Sequence, residues 1–176
     1  MYLYNRIKHK VFFSFYHQDD QLYKNGIDQR FASCIINKSV MDGEYNTDNS
    51  DEYIKRLIRE DKINDSSVLV VLVGPNTKKR KHVDWEIYAG LNPNINGNAG
   101  LIGVLLPSFP LVQNKYYLED LPARLADNVS SGYADIYTWD YFIANFDEII
   151  QTAFDNRVSR RSKINNSRLQ MQRNHI

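Results

Sequence analysis

The sequence predicts a single α/β domain in which helices cover both faces of a central, mostly parallel sheet of about five strands. Its 176 residues suit one domain of ordinary size. Short, wholly apolar segments such as 68–73 show no polar alternation, as is typical of strands buried on both faces. These segments alternate with helical patterns, and strands joined by helices form right-handed crossovers within a parallel, doubly wound sheet.

The order of these segments gives the predicted elements. We expect strands at residues 11–15, 68–73, 101–106 and, as a short edge strand, 135–137. We expect helices at about residues 20–36, 51–62, 82–91 and from residue 140 onward, with a polar loop at 37–50 that includes a possible short strand at 39–41. In the first helix Tyr23, Ile27, Phe31 and Ile35 recur at every fourth position, with Leu22 and Cys34 beside them.

Composition excludes several classes of protein. Apolar residues make up 43% and charged residues 24%, which is typical of a soluble globular domain rather than a disordered or fibrous chain. No segment approaches the ~20 apolar residues of a membrane helix, and the first residues do not form a secretory signal, so we expect a cytoplasmic protein. The single cysteine, Cys34, excludes an internal disulfide and is interpreted as a small core residue.

Charge is unevenly distributed along the chain. The formal net charge is +1, yet residues 157–176 contain only basic charged side chains, so the preceding part carries a net negative charge. We therefore divide the chain into a domain at 1–156 and a basic C-terminal tail or helical extension at 157–176. Such a tail can bind phosphate or an acidic partner, or it can be a solvated helix or a frayed end.

Known phosphate-binding and metal-binding motifs are missing from the sequence. Neither G-x-G-x-x-G nor G-x-x-x-x-G-K-[ST] occurs, which disfavours ordinary dinucleotide-binding and P-loop chemistry. The four histidines show no zinc-like spacing, and Ser14 lies in no nucleophile-elbow pattern. We therefore expect no metal and no permanently bound cofactor.

Two acids, Asp19 and Asp20, follow the first strand. A receiver domain carries such a pair with a third aspartate on the central strand, where the three hold magnesium, but here that strand ends Leu72-Val73-Gly74. We prefer an interpretation in which the pair caps the first helix and favours its dipole.

The carboxyl ends of parallel strands are where ligands bind in such sheets. A basic run, residues 78–81, follows one of these ends, and at most one or two of its side chains, including Arg80, are expected to reach a ligand, the alternative being a solvated run. Next come Asp84, Trp85 and Glu86 on a helix, where Trp85 can anchor the helix to the core while Glu86 points into the cleft. The alternative is that Glu86 is an ordinary surface glutamate.

Three blocks of the sequence resemble the TIR-like proteins of bacterial antiphage defence, including the sensor of the Thoeris system. The first is Lys10-Val11-Phe12-Phe13-Ser14-Phe15 with Asp19, and the third is the region 122–137 ending Gly-Tyr-Ala-Asp-Ile-Tyr. The second and most specific block comprises residues 70–74, Asn76-Thr77, Arg80 and Val83-Asp84-Trp85-Glu86-Ile87. The resemblance spans about residues 10–155.

The resemblance implies a flavodoxin-like TIR fold and, in active members, cleavage of NAD with release of nicotinamide to produce a signalling nucleotide of the linear or cyclic ADP-ribose type. The catalytic glutamate of the family corresponds to Glu86. We expect substrate to be bound by Ser14, Phe15, Tyr16, His17, Arg80 and Asp42. Phe15, Tyr16 and His17 could stack on a base or close one wall of the site. Ser14 and Arg80 could bind hydroxyl or phosphate groups.

The expected partners follow from the same resemblance. They are NAD as substrate, another copy or another TIR-like subunit, and a downstream effector that senses a nucleotide, with no membrane. Two other functions stay open at this point. One is a non-catalytic interaction module that binds through loop 41–50 and helix 51–62, and the other is nucleic-acid binding through the basic tail.

Overall fold

A computed structural model of the chain describes residues 8–38, 60–94 and 96–176. Five parallel strands form one sheet in the order β2-β1-β3-β4-β5. The strands are β1 (His9–Ser14), β2 (Ile35–Asn37), β3 (Val68–Val73), β4 (Gly100–Leu105) and β5 (Asp135–Thr138). This architecture confirms the predicted α/β fold with a parallel sheet of five strands.

Helices lie on both faces of the sheet. They are α1 (His17–Phe31), α2 (Lys81–Leu91), α3 (Ala123–Ser130), α4 (Trp139–Ala144) and α5 (Phe146–Ser159). Residues 60–64 are also helical, and short 3-10 turns occupy Thr77–Lys79, Leu118–Asp120 and Arg161–Lys163. Within these ranges no helix is both long and apolar enough to span a bilayer.

The core consists of two apolar layers separated by the sheet. On one face, Phe12 and Leu69 pack with Ile87 of α2 and Leu125 of α3. On the other face, residues such as Phe13, Val70, Ile27 of α1 and Ile149 of α5 pack together. Every residue of β3 and β4 is buried, which explains why these strands are continuous apolar runs.

Gly100 lets α5 pack directly on β4. A β-carbon at this position would lie 2.0 Å from the carbonyl oxygen of Ala153 in α5, a separation that no side chain could tolerate. The glycine therefore sets how closely this helix approaches the sheet. Ala153 is buried at this close contact.

The first helix is shorter at its C-terminal end than predicted. It ends at Phe31, and Ile35 belongs to β2, where it pairs with His9 of β1. The predicted helical face was therefore wrong at this residue, because a buried strand residue happened to continue the four-residue spacing. Leu22 is also misplaced in the prediction, since its side chain is 82% exposed.

Other helical predictions differ in extent. Helix α3 was not predicted, and the last predicted helix is divided at Asn145 into α4 and α5. Cys34 is only partly buried, beside the apolar layer that contains α1. The possible strand at 39–41 lies outside the described residues, as does most of the predicted helix 51–62.

The basic tail turns back onto the domain after α5. Arg160 pairs with Asp135 at 2.9 Å, and Arg168 pairs with Asp127 at 2.7 Å. We call residues 164–176 the C-terminal strap. The proposed division at residue 156 falls within α5 and stays a prediction.

Candidate active site

The order of strands reverses between β1 and β3, so a ligand crevice is expected at their carboxyl ends. The chain leaves β1 toward β2 on one side and leaves β3 toward β4 on the other. Open sheets of this kind bind ligands at such a switch point. Ser14 ends β1, and Gly74 follows β3, so both lie at this edge.

Glu86 lies in this region and contacts the end of β1. The Ser14 hydroxyl donates a hydrogen bond of 2.5 Å to Oε2 of Glu86. Glu86 is 4% exposed and Ser14 is 1% exposed. The short connection after β3 starts α2 at Lys81, so that the second turn of the helix brings this carboxylate back toward β1. Glu86 is therefore buried. The alternative interpretation, in which it is an ordinary surface glutamate, is wrong.

Aromatic and imidazole groups lie next to this pair. Phe15 is buried, and its ring centroid is 4.1 Å from that of His17. The Nε2 atom of His82 lies 3.0 Å from the carbonyl oxygen of Phe15. The two imidazole rings are 6.2 Å apart between centroids. The loop after β1 is thus tied to the first turn of α2, one turn before Glu86.

Arg80 packs on Tyr16 at the same edge. Its guanidinium carbon lies 3.9 Å from the centre of the Tyr16 ring, as in a cation–π contact. Within the described ranges, the buried Nε of Arg80 has no hydrogen-bond partner. This arrangement leaves a guanidinium donor near the start of α2, where the helix dipole also favours an anion.

The other basic residues of the run 78–81 point elsewhere. Lys78 pairs with Asp120 at 2.8 Å, and the ammonium of Lys81 lies 5.0 Å from the centre of the Trp85 ring. Successive residues cannot share one direction. Together with Arg80 on Tyr16, the basic side chains therefore contact three different neighbours.

A buried carboxylate, which sequence reasoning placed at the helix cap, also lies at this edge. Asp20 is 1% exposed, and the N-cap residue of α1 is Tyr16, with no side-chain cap. Burial first, and then the charge of Asp19, raise the pKa of Asp20 to about 6, while a hydrogen bond from Thr77 opposes the rise. The prediction that Asp19 and Asp20 cap the helix is therefore wrong, although both lie in its first turn, where acids favour the helix dipole. The side chain of Asp20 faces the turn after β3.

This turn is built around that carboxylate. The Thr77 hydroxyl accepts a 2.8 Å hydrogen bond from the Gly74 amide and lies 3.4 Å from Oδ2 of Asp20. Asn76 donates a 2.9 Å hydrogen bond to Asp19. The residues Asn76 and Thr77 of the sequence block thus hold the turn against α1, a contact between distant segments that spacing alone could not reveal.

The structure brings most of the predicted site residues to one edge of the sheet. We call this group the site cluster; it comprises Ser14, Phe15, Tyr16, His17, Arg80 and Glu86. The remaining candidate, Asp42, lies outside the described residues, as does loop 41–50. Among the described side chains, no group of three or more histidine, cysteine or carboxylate residues is arranged to hold a metal ion.

Trp85 and Asp84, the neighbours of Glu86, face away from the site cluster. We expected Trp85 to anchor α2 to the core, but it is only half-buried, and its indole N–H donates to the carbonyl of Met171 at 2.8 Å. Asp84 is buried against Arg124 at 2.9 Å. Asp84 and Trp85 therefore face Arg124 and Met171, whereas Glu86 faces Ser14 at the end of β1.

An open groove of about 680 Å³ lies on this second side of α2. It is lined by Asp84, Lys78, Glu119 and the strap residues Arg168 and Met171, among others. None of the site cluster lines it. The groove and the Ser14–Glu86 pair are thus different features of the protein.

Comparison with known families supports the residue pattern. The sequence model of the family described as "Thoeris protein ThsB, TIR-like domain" matches residues 12–109. The matched span includes the second half of β1, all of β3 and α2, and every member of the site cluster. No curated protein matches the chain.

Proposed function

The chain belongs to the family of TIR-like domains of the Thoeris protein ThsB, which serves antiphage defence, and on that premise we propose that it cleaves NAD at the bond between nicotinamide and ribose. The observation that carries the proposal is the buried Glu86 carboxylate, which Ser14 holds at the switch point of the sheet. A negative charge fixed in a place of restricted water access can stabilise a cation far better than one in bulk water.

The chemistry of the proposed reaction needs such a charge. When the C1′–N bond breaks, its electron pair passes to the pyridinium ring, so nicotinamide leaves as a neutral molecule and needs no proton. The ribose is left with oxocarbenium character, which a carboxylate beside it stabilises. Water then adds to C1′ and loses a proton to give ADP-ribose, or an adenine nitrogen adds to give a cyclic product.

Ser14 is proposed to orient the carboxylate rather than to react. Its hydroxyl donates to Oε2, and because a carboxylate accepts several hydrogen bonds, the same group is proposed to accept one from a ribose hydroxyl as well. A carboxylate held in one orientation before the substrate binds does not need to reorganise as the charge develops.

The other members of the site cluster fit the remaining parts of NAD. Tyr16 and His17 offer flat rings for a base, and Arg80 offers guanidinium donors for the diphosphate. NAD enters this account as a substrate and not as a resident cofactor. The product would act as a signal for a nucleotide-sensing effector, and assembly with another TIR-like subunit would control activity.

Of the two other functions, nucleic-acid binding is opposed by a specific observation. Arg160 and Arg168 of the tail are paired with Asp135 and Asp127, which reduces the positive charge that the tail presents to a polyanion. The segments that a purely structural interaction module would use, residues 41–50 and 51–62, fall almost wholly outside the described residues.

Release of nicotinamide from NAD by the purified protein tests the proposal. The assay compares wild type with Glu86→Gln, with and without conditions that promote self-association. We expect the variant to fold normally and to lose activity by ~10²–10³-fold, as is usual when an electrostatic catalyst is removed.

Glu148→Gln provides the matched control, since it removes an exposed carboxylate from α5. This variant should keep the activity of wild type. Equal activities of wild type and Glu86→Gln under activating conditions would refute the catalytic assignment and favour a non-catalytic interaction module.

A further inference from the structure

We propose that the C-terminal strap, residues 164–176, positions Glu86 by clamping α2 along its whole length. The inference rests on the proposed function, because it assigns the strap a role in the same reaction. It also makes a structural claim that can be tested without any turnover: the strap sets where the Glu86 carboxylate lies.

The strap caps the beginning of α2. The N-cap residue, Arg80, provides no side-chain hydrogen bond to the helix. Instead the side-chain oxygen of Asn174 accepts from the Lys81 amide at 2.9 Å, and the His175 amide donates to the carbonyl of Lys79 at 2.9 Å. A residue far away in sequence thus does what an N-cap serine or aspartate does elsewhere.

A second set of contacts lies at the middle of the helix. The Met171 amide donates to Oδ2 of Asp84 at 2.8 Å, and the Met171 carbonyl accepts from the indole of Trp85 at 2.8 Å. One residue of the strap therefore bonds to two successive residues of α2. Asp84 and Trp85 are the two residues before Glu86, so these contacts set the rotation of the helix at that point.

The third set lies at the end of α2. The Asn166 side-chain amide donates to the carbonyl of Tyr88 and to the side chain of Asn92, both at 3.1 Å. Its oxygen accepts from Arg124 at 3.0 Å, and Arg124 in turn pairs with Asp84. The strap, α2 and α3 are thereby joined in one polar network.

The base of the strap is anchored on α3. Asn128 is fully buried, and its side chain donates to the Asn165 carbonyl at 2.7 Å and accepts from the Asn165 amide at 2.9 Å. This reciprocal pair fixes the point from which the strap crosses α2. The strap is therefore built into the domain at both ends and at its centre.

The consequence for Glu86 follows from helix geometry. Each residue of an α-helix turns by about 100°, so Asp84 and Trp85 can face the strap while Glu86 faces Ser14. A shift or rotation of α2 moves Glu86 with it, because the helix moves as a rigid element. A displacement of ~1 Å at a catalytic group can lower a rate by ~10²-fold. We therefore assign Asn174, Met171 and Asn166 as positioning residues.

The test uses full-length variants that alter one strap contact each. Asn174→Ala removes the cap, and Asn174→Asp restores an acceptor oxygen. Arg173→Ala is the matched control, since Arg173 is exposed and makes no hydrogen bond or ion pair with α2 among the described residues. Three quantities are measured for each: hydrogen exchange of the α2 amides, the ¹³C chemical shift of the Glu86 carboxyl, and the kinetics of nicotinamide release.

For Asn174→Ala we expect exchange in α2 to accelerate by ~5-fold or more while the rest of the sheet is unchanged, and the Glu86 signal to move. We expect kcat to fall by ~10-fold with KM within about twofold, because the substrate is still bound but the carboxylate is displaced. Asn174→Asp and Arg173→Ala should both behave as wild type.

The inference is overturned if exchange in α2 and the Glu86 signal are the same in Asn174→Ala as in wild type. It is also overturned if kcat is unchanged while α2 exchanges faster, since the strap then serves stability only. If wild type releases no nicotinamide under any activating condition, the proposed function fails. The Glu86 signal and the exchange rates would still decide whether the strap sets the position of the carboxylate.

Discussion

Ser14 Oγ and Glu86 Oε2 lie 2.5 Å apart although the two residues are separated by 72 positions in the sequence. The bond joins the end of β1 to the second turn of α2 across the point where the strand order reverses. Both residues are buried, so the bond is shielded from competing water. It holds one carboxylate where an α/β sheet binds its ligands.

Replacing Ser14 by alanine should weaken catalysis without removing the carboxylate. A hydrogen bond to a charged group contributes about 1.5–3 kcal/mol, so kcat/KM for NAD should fall by ~10–100-fold. Steady-state nicotinamide release checks this, with Ser159→Ala as the control, because that hydroxyl bonds only to the exposed end of α5. An unchanged kcat/KM would mean that the bond does not orient Glu86.

Asp20→Asn should alter how stability depends on pH. Burial raises the pKa of Asp20 from 3.8 to about 6, so between these values the folded protein binds more protons than the unfolded chain. The contribution of Asp20 to the free energy of unfolding is therefore highest below about pH 4, and it decreases as the pH rises toward 6. The shift corresponds to at most about 3 kcal/mol, so Asp20→Asn should be more stable than wild type at pH 7 by up to that amount.

Urea unfolding at several values between pH 4 and pH 8 measures the effect. The difference between Asp20→Asn and wild type should grow across this window and then level off above about pH 6. A difference that is constant with pH would show that Asp20 has an ordinary pKa in the folded protein.

Gly74→Ala and Gly26→Ala should change stability in opposite directions. A β-carbon at Gly74 would lie 2.6 Å from Oδ1 of Asp20, so we expect a loss of about 1–3 kcal/mol as the carboxylate is displaced. At Gly26, within α1, a β-carbon meets nothing within 4 Å, and alanine should stabilise the helix by about 0.5–1 kcal/mol. Denaturant unfolding of both variants measures this contrast, and a stabilising Gly74→Ala would contradict the described packing.

Arg124→Met should be strongly destabilising because it breaks a buried ion pair. Arg124 is 0% exposed and Asp84 4% exposed, so the substitution would leave a buried carboxylate without its ion-pair partner, at a cost of about 3–5 kcal/mol. The control is Arg168→Met, which breaks the more exposed pair with Asp127 and should cost only about 0–1 kcal/mol. Similar losses in the two variants would disprove the difference in burial.

The sequence predicted those parts of the fold that local pattern determines. The apolar run 68–73 was recognised as a strand because residues buried on both faces leave no alternation, and it coincides with β3. Ile35 was misassigned because it belongs to β2, which pairs with β1, and periodicity cannot distinguish this contact between distant residues from a helical face. Helix α3 was missed because much of its inward face is polar: Arg124 and Asn128 are both fully buried.

The candidate site was likewise only partly predictable, because some of its contacts join residues that are distant in the sequence. Glu86 and Arg80 were named from a sequence block that resembles the TIR-like family, and both lie at the expected edge of the sheet. Asp20 was taken for a helix cap because its position suited one, whereas its burial depends on Gly74 and Thr77 after another strand. The strap could not be predicted either, since its contacts with α2 are made largely by backbone groups and asparagine side chains, which carry no periodic pattern.

The most direct test of the account is the crystal structure of Glu86→Gln with NAD bound, since the variant is expected to retain substrate that it cannot cleave. We predict that the side chain at position 86 lies within hydrogen-bond distance, about 3 Å, of a hydroxyl group on the nicotinamide ribose. NAD bound elsewhere, with its nicotinamide ribose far from Ser14 and residue 86, would contradict the central claim that Glu86 stabilises the sugar as the glycosidic bond breaks.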